Sequence, residues 1–307
     1  MKRLKKILAS KIFRLVLSGS LLYLAFRKVD ILMLLRELAK VDWWFLAVQM
    51  VLYIVLMTLG AWRWAGLILK KISFRDLINF LKSAYLGIFY GIFLPTATAG
   101  DALKWTVLQK QYPEISKTKL FGSVIIDKMI GFFTFIAVAL TASILGWVMG
   151  LHFPNYLRLM FGGMFLGVVA FYVLAINISF DKWLGKHKWL DKMVEITALF
   201  KGIGLKRMGK SLLISVVCEI IWIGQIYLSS VYFGANFGLI RSFAYLPAIY
   251  LILVLPISIA GFGAREHLYL LFFGGLASEE KILLVSTFTG LVGIVNALIG
   301  GLVLMLK

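Results

Sequence analysis

Two segments far apart in the chain carry the same pattern: LPTATAGDALK at residues 94–104 and LPISIAGFGAR at residues 255–265. They align without gaps as Leu-Pro-x-x-x-Ala-Gly-x-x-x-basic. Each lies in an apolar region that is broken into two short pieces. The pieces are Leu81–Pro95 with Asp101–Gln111, and Phe243–Pro256 with Gly263–Gly275. Because proline ends a helix and glycine permits unusual backbone angles, each region is predicted to form two short helices joined by a tight break.

The composition around these segments is typical of a membrane protein. Of the 307 residues 61% are apolar, and Lys plus Arg outnumber Asp plus Glu by 33 to 14, a net charge of +19. Soluble domains are only about 45–50% apolar, and a basic nucleic-acid binder would be far more polar, so we expect no nucleic-acid partner. One cysteine excludes an intramolecular disulfide, and the three histidines are too dispersed for a zinc site. We therefore expect no metal and no cofactor.

Six apolar stretches have about the 20 residues that a helix needs to cross a bilayer. They are approximately Ile12–Phe26, Trp43–Gly66, Leu120–Met149, Arg158–Ile178, Ser211–Phe233 and Ile282–Leu306. Basic residues are concentrated at the N-terminus and in Asn177–Lys210, which predicts a cytoplasmic position for both. If each broken region were one spanning helix, this basic loop would lie outside. With two re-entrant hairpins it stays inside, and we favour the hairpins.

These features predict an all-α polytopic membrane protein with six transmembrane helices and two re-entrant helical hairpins. Each hairpin follows two spans and precedes a third. The single membrane domain, residues 1–307, then divides into halves of about 1–150 and 151–307 that begin on opposite sides of the membrane. This is an inverted-topology repeat, in which substrates bind at discontinuous helices near the bilayer midplane. We expect the cytoplasmic (inner) membrane, with the N-terminus in the cytoplasm.

The two breaks also predict an anion site. Helices expected to begin near Asp101 and Gly263 place Lys104 and Arg265 in a first turn, where unpaired N–H groups carry the positive end of the helix dipole. A cation together with free N–H groups favours phosphate. We assign the binding of a lipid head group, between the two hairpin tips, to Pro95, Gly100, Lys104, Ser258, Gly261, Gly263 and Arg265. The alternative is that both basic side chains extend to the membrane interface.

Five further charged residues are candidates for gating or proton uptake, because charge within a membrane is costly and usually functional. They are Asp101, Asp127, Lys128, Glu219 and Glu266. Asp127 and Lys128 could instead form an ion pair at the cytoplasmic end of their span. Glu219 could make a structural hydrogen bond, and Asp101 could cap its helix.

Three other patterns are predicted to carry no chemistry. Trp62-Arg63-Trp64 closes the second span, as interfacial anchors do. Gly87 and Gly91 have the spacing of closely packed helices. The segment GLKRMGKS at residues 204–211 matches the nucleotide-binding P-loop, but it follows a basic loop rather than a buried strand and precedes an apolar span. We expect no nucleotide binding.

The motifs resemble those of a known family. Residues 94–104 resemble its first signature, and Ile126-Asp127-Lys128 resembles its acidic–basic pair. Residues 255–266 are similar to its most specific signature, Pro-x-Ser-x-x-Gly-x-Gly-x-Arg-Glu. The family is the transmembrane region of lysylphosphatidylglycerol synthases, a flippase-like domain, and the resemblance covers nearly the whole chain. It implies functional roles for Asp101, Lys104, Asp127, Lys128, Arg265 and Glu266.

The resemblance implies translocation of an anionic phospholipid or a polyprenyl-phosphate-linked lipid across the cytoplasmic membrane. We expect a transporter rather than an enzyme, with a membrane lipid as substrate and a separate soluble or membrane lipid-modifying transferase as a candidate partner. The full-length synthases add a soluble aminoacyl-transferase domain that this sequence lacks, so we expect no lipid aminoacylation by this chain alone. The alternative is the membrane subunit or catalytic body of a lipid-linked glycosyl or aminoacyl transferase.

Overall fold

A computed structural model describes residues 31–93, 97–151, 153–177, 202–255 and 261–305, together with residues 20, 23 and 198. In this part of the chain every regular element is a helix and no strand forms, which confirms the all-α class. The helices are α1 (Ile31–Ala39), α2 (Trp43–Ile68), α3 (Phe74–Phe93), α4 (Ala97–Gln111), α5 (Lys117–Val148), α6 (Asn155–Asn177), α7 (Leu205–Tyr232), α8 (Leu239–Leu253), α9 (Ala264–Phe273) and α10 (Glu279–Met305). Most of the predicted span Ile12–Phe26 lies outside the described residues.

Four of these helices, α2, α5, α7 and α10, are long and apolar enough to cross a membrane. They match four of the six predicted spans, so the protein is membrane-embedded. Helix α6, with 23 residues, covers the predicted span from Arg158 to Asn177. Helix α5 starts three residues earlier than expected, because the Ser116 side chain caps it by accepting a hydrogen bond from the backbone N–H of Lys119 at 3.1 Å.

The first broken region doubles back on itself. A β carbon added to Gly100 in α4 would overlap the carbonyl oxygen of Gly87 and lie 2.6 Å from the backbone nitrogen of Gly91, both in α3. In one straight helix residues 87 and 100 would be about 20 Å apart, at 1.5 Å per residue. The two helices therefore cross backbone to backbone, which confirms the packing role predicted for Gly87 and Gly91.

Both helices of this hairpin begin earlier than predicted. Helix α3 starts at Phe74, seven residues before Leu81, because Ser73 and Asp76 form a reciprocal cap: the Ser73 N–H donates to Asp76 at 2.9 Å and the Asp76 N–H donates to the Ser73 hydroxyl at 3.2 Å. The Tyr112 hydroxyl also donates to Asp76, at 2.6 Å. This bond and those from Ser73 lower the pKa of the Asp76 carboxyl.

The early start of α4 corrects one prediction. The helix begins at Ala97, four residues before Asp101, since Ala-Thr-Ala has no residue that would delay it after a proline. Lys104 is therefore the eighth residue of α4 and lies in its third turn, not its first. The helix-dipole argument for an anion site does not apply to Lys104.

The second broken region also doubles back. The ring of Tyr245 in α8 lies 5.5 Å from that of Phe272 and 5.6 Å from that of Phe273, whereas residues 245 and 273 would be about 42 Å apart in a straight helix. Gly261 and Gly263 have φ angles of 81° and 80°, which other residues rarely adopt. Helix α9 begins at Ala264, so Arg265 lies in the first turn as predicted. The re-entrant placement of the hairpins stays a prediction.

Contacts divide the chain into two compact units. Unit 1 comprises Met1–Val55, Tyr85–Asp101 and Ile221–Lys307, and unit 2 comprises Leu56–Ala84 and Ala102–Ile220. Each unit takes residues from both predicted halves, and the inverted repeat stays a prediction.

Each unit has its own apolar core. In unit 1 the ring of Phe45 stacks on that of Tyr232 at 3.9 Å and packs with Phe288 and Val292. The core of unit 2 includes Ala61, Trp64, Ala65, Ile68, Phe80, Leu108, Tyr112, Leu120 and Val124.

The Gly100 contact gives a first prediction. Gly100→Ala should destabilise the protein by about 1–3 kcal/mol or more, because the added methyl meets backbone atoms that cannot rotate away. The matched control is Gly224→Ala in α7, where a β carbon has no atom within 4 Å, so its effect should be neutral or slightly stabilising. Thermal unfolding in detergent micelles measures both. Equal stability of the two variants would contradict the crossing.

Candidate functional site

Asp127 of α5 is the centre of a buried polar cluster in unit 2. Its side chain accepts a hydrogen bond from Nε of Arg63 at 2.8 Å through Oδ1, and Nζ of Lys104 lies 3.6 Å from Oδ2. Asp127 is only 3% exposed and Lys104 only 6%. One carboxylate thus faces two cations, from α2 and α4.

Arg63 is fixed on two sides. Besides Asp127, it donates from Nη1 to the hydroxyl of Ser215 in α7 at 2.6 Å, and that hydroxyl lies 2.7 Å from the hydroxyl of Thr134 in α5. Charge-assisted hydrogen bonds of this length are strong. A buried guanidinium needs such partners, because a buried charge without them is costly. Arg63 therefore ties α2 to α5 and α7.

Lys104 is held differently. Its ammonium is beyond hydrogen-bond distance of Asp127 and lies 4.4 Å from the centre of the Trp64 ring, a cation–π contact. The ring is itself fixed, because the Trp64 indole N–H donates to the Ser123 hydroxyl at 2.9 Å. The Ser83 hydroxyl donates to the backbone carbonyl of Lys104. The backbone and the ring are therefore anchored, while the carboxylate that faces the ammonium is bonded to Arg63.

Two more predicted residues belong to this cluster. Glu219 of α7 interacts electrostatically with Arg63 and Lys128, and Lys128 interacts with Asp127. The Lys128 side chain is exposed, so the buried group consists of two cations, Arg63 and Lys104, against Asp127, with Glu219 half-buried nearby. Its formal charge is 2 − 1 = +1 when Glu219 is protonated and 2 − 2 = 0 when Glu219 is ionised. With Glu219 protonated, the positive excess favours an anionic ligand over a cationic one.

Arg265 forms a different arrangement in unit 1. Its Nη2 and Nε donate to Oε1 of Glu266 at 2.8 and 3.2 Å. Oε2 of Glu266 accepts the backbone N–H of Gly263 at 2.7 Å, and the Ser286 hydroxyl donates to Oε1 at 3.3 Å. Glu266 therefore caps α9 and neutralises Arg265 at once. This pair has no net charge.

The structure places the predicted site residues in separate groups. Lys104, Asp127, Lys128 and Glu219 come together in unit 2, whereas Gly261, Gly263, Arg265 and Glu266 lie in unit 1. Pro95, Ser258 and the side chain of Asp101 lie outside what the structure describes, and their roles stay predictions. Gly100 packs the first hairpin.

The interpretation of Trp62-Arg63-Trp64 as an interfacial anchor is wrong for two of its residues. Arg63 is part-buried, with 12% of its side chain exposed, and is paired with Asp127, and Trp64 is only 1% exposed. Only Trp62 is substantially exposed, at 37%, and the ammonium of Lys210 lies 4.3 Å from its ring centre. The flanking tryptophans favoured the interpretation as an interfacial anchor, so the functional meaning of the charge on Arg63 was missed. Arg63 is the one charged residue in the sequence of α2, and a charge inside an apolar helix indicates function.

Comparison with known proteins identifies one family. The model described as "Lysylphosphatidylglycerol synthase TM region" matches residues 11–301, nearly the whole chain. No curated protein and no solved structure shows significant similarity to the chain.

The shared carboxylate gives a second prediction. Asp127→Asn should cost about 3–5 kcal/mol, because it leaves the buried Arg63 and Lys104 without their counter-charge. Combining Arg63→Met with Asp127→Leu should cost less than the sum of the two single changes. Denaturant unfolding in micelles measures these energies.

The control for this series is Glu37→Gln. Glu37 pairs with Lys40 at 2.7 Å, but the two side chains are 41% and 69% exposed, so the loss should be within about 1 kcal/mol. An Asp127→Asn variant as stable as Glu37→Gln would show that the Asp127 cluster is not a buried ion-pair network.

Proposed function

The chain belongs to the transmembrane-region family of lysylphosphatidylglycerol synthases, and we propose that it moves an anionic lipid across the cytoplasmic membrane. The lipid is an anionic phospholipid or a polyprenyl-phosphate-linked lipid, and its phosphate is bound at Lys104. The family is associated with lipid handling in membranes, and the four membrane-length helices provide the setting for it.

The position of Lys104 carries the proposal. Its ammonium is buried and faces a carboxylate at 3.6 Å that already makes a short bond to Arg63. Lysine binds phosphate as a point charge and needs no fixed geometry. A phosphate at Lys104 therefore competes with the longer of the two ion pairs of Asp127. The shorter one, to Arg63, holds Asp127 in place.

The charge of the cluster supports the same exchange. When Glu219 is protonated, Arg63 and Lys104 exceed Asp127 by one positive charge, and the group becomes neutral when a singly charged phosphodiester binds. Electrostatic attraction in a low-dielectric interior is much stronger than in water. A zwitterionic head group brings a second cation to the same place and is expected to bind less well.

Apolar side chains on the surfaces of α4 and α5 suit contact with lipid tails. Leu103, next to Lys104 in α4, is exposed, and so are Phe121 and Phe132 in α5. Apolar side chains exposed on a membrane-embedded helix face hydrocarbon. A lipid can therefore keep its acyl or prenyl chains in the bilayer while its phosphate reaches the buried cation.

Several finer features stay part of the proposal. Arg265 with Glu266 forms a second candidate contact for the head group, and the binding of one phosphate by both Lys104 and Arg265 stays a prediction. The same holds for gating by Asp101, Asp127, Lys128 and Glu219. The inner-membrane location, the cytoplasmic N-terminus and a lipid-modifying transferase as partner are also expectations.

The third prediction tests the role of Lys104. In liposomes, Lys104→Gln should reduce translocation of fluorescent phosphatidylglycerol by roughly 10- to 150-fold. It removes a charge-assisted contact of about 1.5–3 kcal/mol, and about 1.4 kcal/mol is a factor of ten. Lys104→Arg keeps the charge and should retain part of the activity. The wild-type protein should move phosphatidylglycerol faster than phosphatidylcholine.

The matched control is Lys110→Gln, which removes an exposed lysine from the same helix and should leave transport unchanged. The proposal is wrong if Lys104→Gln transports at the wild-type rate, or if the wild-type protein moves neither lipid.

A further inference from the structure

We infer that Gly290 is a positioning residue for Arg265. Because glycine has no side chain, the guanidinium can lie directly against the backbone of α10 at this residue. A β carbon added to Gly290 would overlap Nη2, Nη1 and Cζ of Arg265. These three atoms form the guanidinium fork, which lysine lacks.

The guanidinium is held by other neighbours besides Gly290. On one side Glu266 holds it through Nε and Nη2. The ring centre of Phe262 lies 5.4 Å from Cζ, and the phenols of Tyr250 and Tyr269 interact electrostatically with the guanidinium. A methyl group at residue 290 would therefore force the fork away from at least one of these neighbours.

Glu266 cannot simply follow a displaced Arg265. Its carboxylate is tied to the backbone N–H of Gly263 at 2.7 Å and accepts a bond from Ser286 at 3.3 Å. Moving it would uncap α9 in its first turn. The position of Arg265 is thus set by two fixed surfaces, the anchored carboxylate and the bare backbone of α10.

Unit 2 provides an internal comparison. There the guanidinium of Arg63 also lies against a glycine, Gly131 of α5, but a β carbon at residue 131 would sit 3.7 Å from Nη1 and Nη2. That distance is an ordinary van der Waals contact, so an alanine fits there. The requirement for glycine is specific to the Arg265 site.

This inference rests on the proposed function only for its consequence in transport. If Arg265 contacts the lipid head group, a shift of its fork removes that contact without any change of charge. The physical contact between Gly290 and Arg265 can be tested without lipid, and the experiment has one arm for each.

The fourth prediction uses Gly290→Ala, Arg265→Lys and the double variant. Alanine normally stabilises a helix relative to glycine, yet Gly290→Ala should lower the unfolding temperature by several degrees and reduce phosphatidylglycerol translocation by about tenfold or more. Lysine lacks the fork that the methyl would strike. In the Arg265→Lys background, Gly290→Ala should therefore cause little further loss of stability or transport.

The control is Gly293→Ala in the same helix, where a β carbon has no atom within 4 Å, and it should retain wild-type stability and transport. Additive effects of Gly290→Ala and Arg265→Lys on the unfolding temperature would overturn the inference. So would normal transport by Gly290→Ala beside an active wild type. If the wild-type protein moves no lipid, the proposed function fails, and the unfolding temperatures alone decide whether Gly290 positions Arg265.

Discussion

Asp127 cannot stay ionised in an apolar interior without a counter-charge, and Arg63 and Lys104 both supply one. This constraint links α2, α4 and α5 in unit 2, and the bond from Arg63 to Ser215 adds α7. Such a network contributes little net stability compared with an apolar core, but it is costly to break. Charged residues inside a membrane-embedded chain are costly and therefore indicate a functional site. The carboxylate faces two cations, Arg63 at hydrogen-bond distance and Lys104 at 3.6 Å.

The Arg265 site of unit 1 solves the same problem by other means. Its cation is paired with the adjacent Glu266, which is anchored to the start of α9 and to Ser286. The pair is neutral, and its geometry is fixed by close packing against Gly290 rather than by a second cation. Although Lys104 and Arg265 occupy equivalent places in the repeated sequence pattern, the structure gives them different electrostatic surroundings. The two residues are therefore expected to differ in how they respond to substitution.

The sequence predicts the helices well because length and hydropathy determine them. The breaks at 94–104 and 255–265 follow from Pro and Gly, and the contacts of Gly100 and Tyr245 bear out the reversals. The start of α4 was misplaced because Ala97 can begin a helix soon after a proline, and this moved Lys104 out of the first turn. Composition alone could not reveal where α4 begins or which of its turns carries Lys104.

The site was only partly predictable. Asp127 and Lys104 stand out as charges in apolar surroundings, whereas Arg63 was hidden between two tryptophans at the end of its helix. Gly290 could not be distinguished from Gly293 by sequence, since only the three-dimensional contact shows which one meets Arg265. The most direct test of the central claim, that a lipid phosphate takes the place of Asp127 at Lys104, is the unfolding temperature of the wild type and of Asp127→Asn, each measured with phosphatidylglycerol and with phosphatidylcholine. If the phosphate replaces the carboxylate, phosphatidylglycerol should raise the unfolding temperature of Asp127→Asn more than that of the wild type, and phosphatidylcholine should not. An equal effect of phosphatidylglycerol on both proteins would contradict the account.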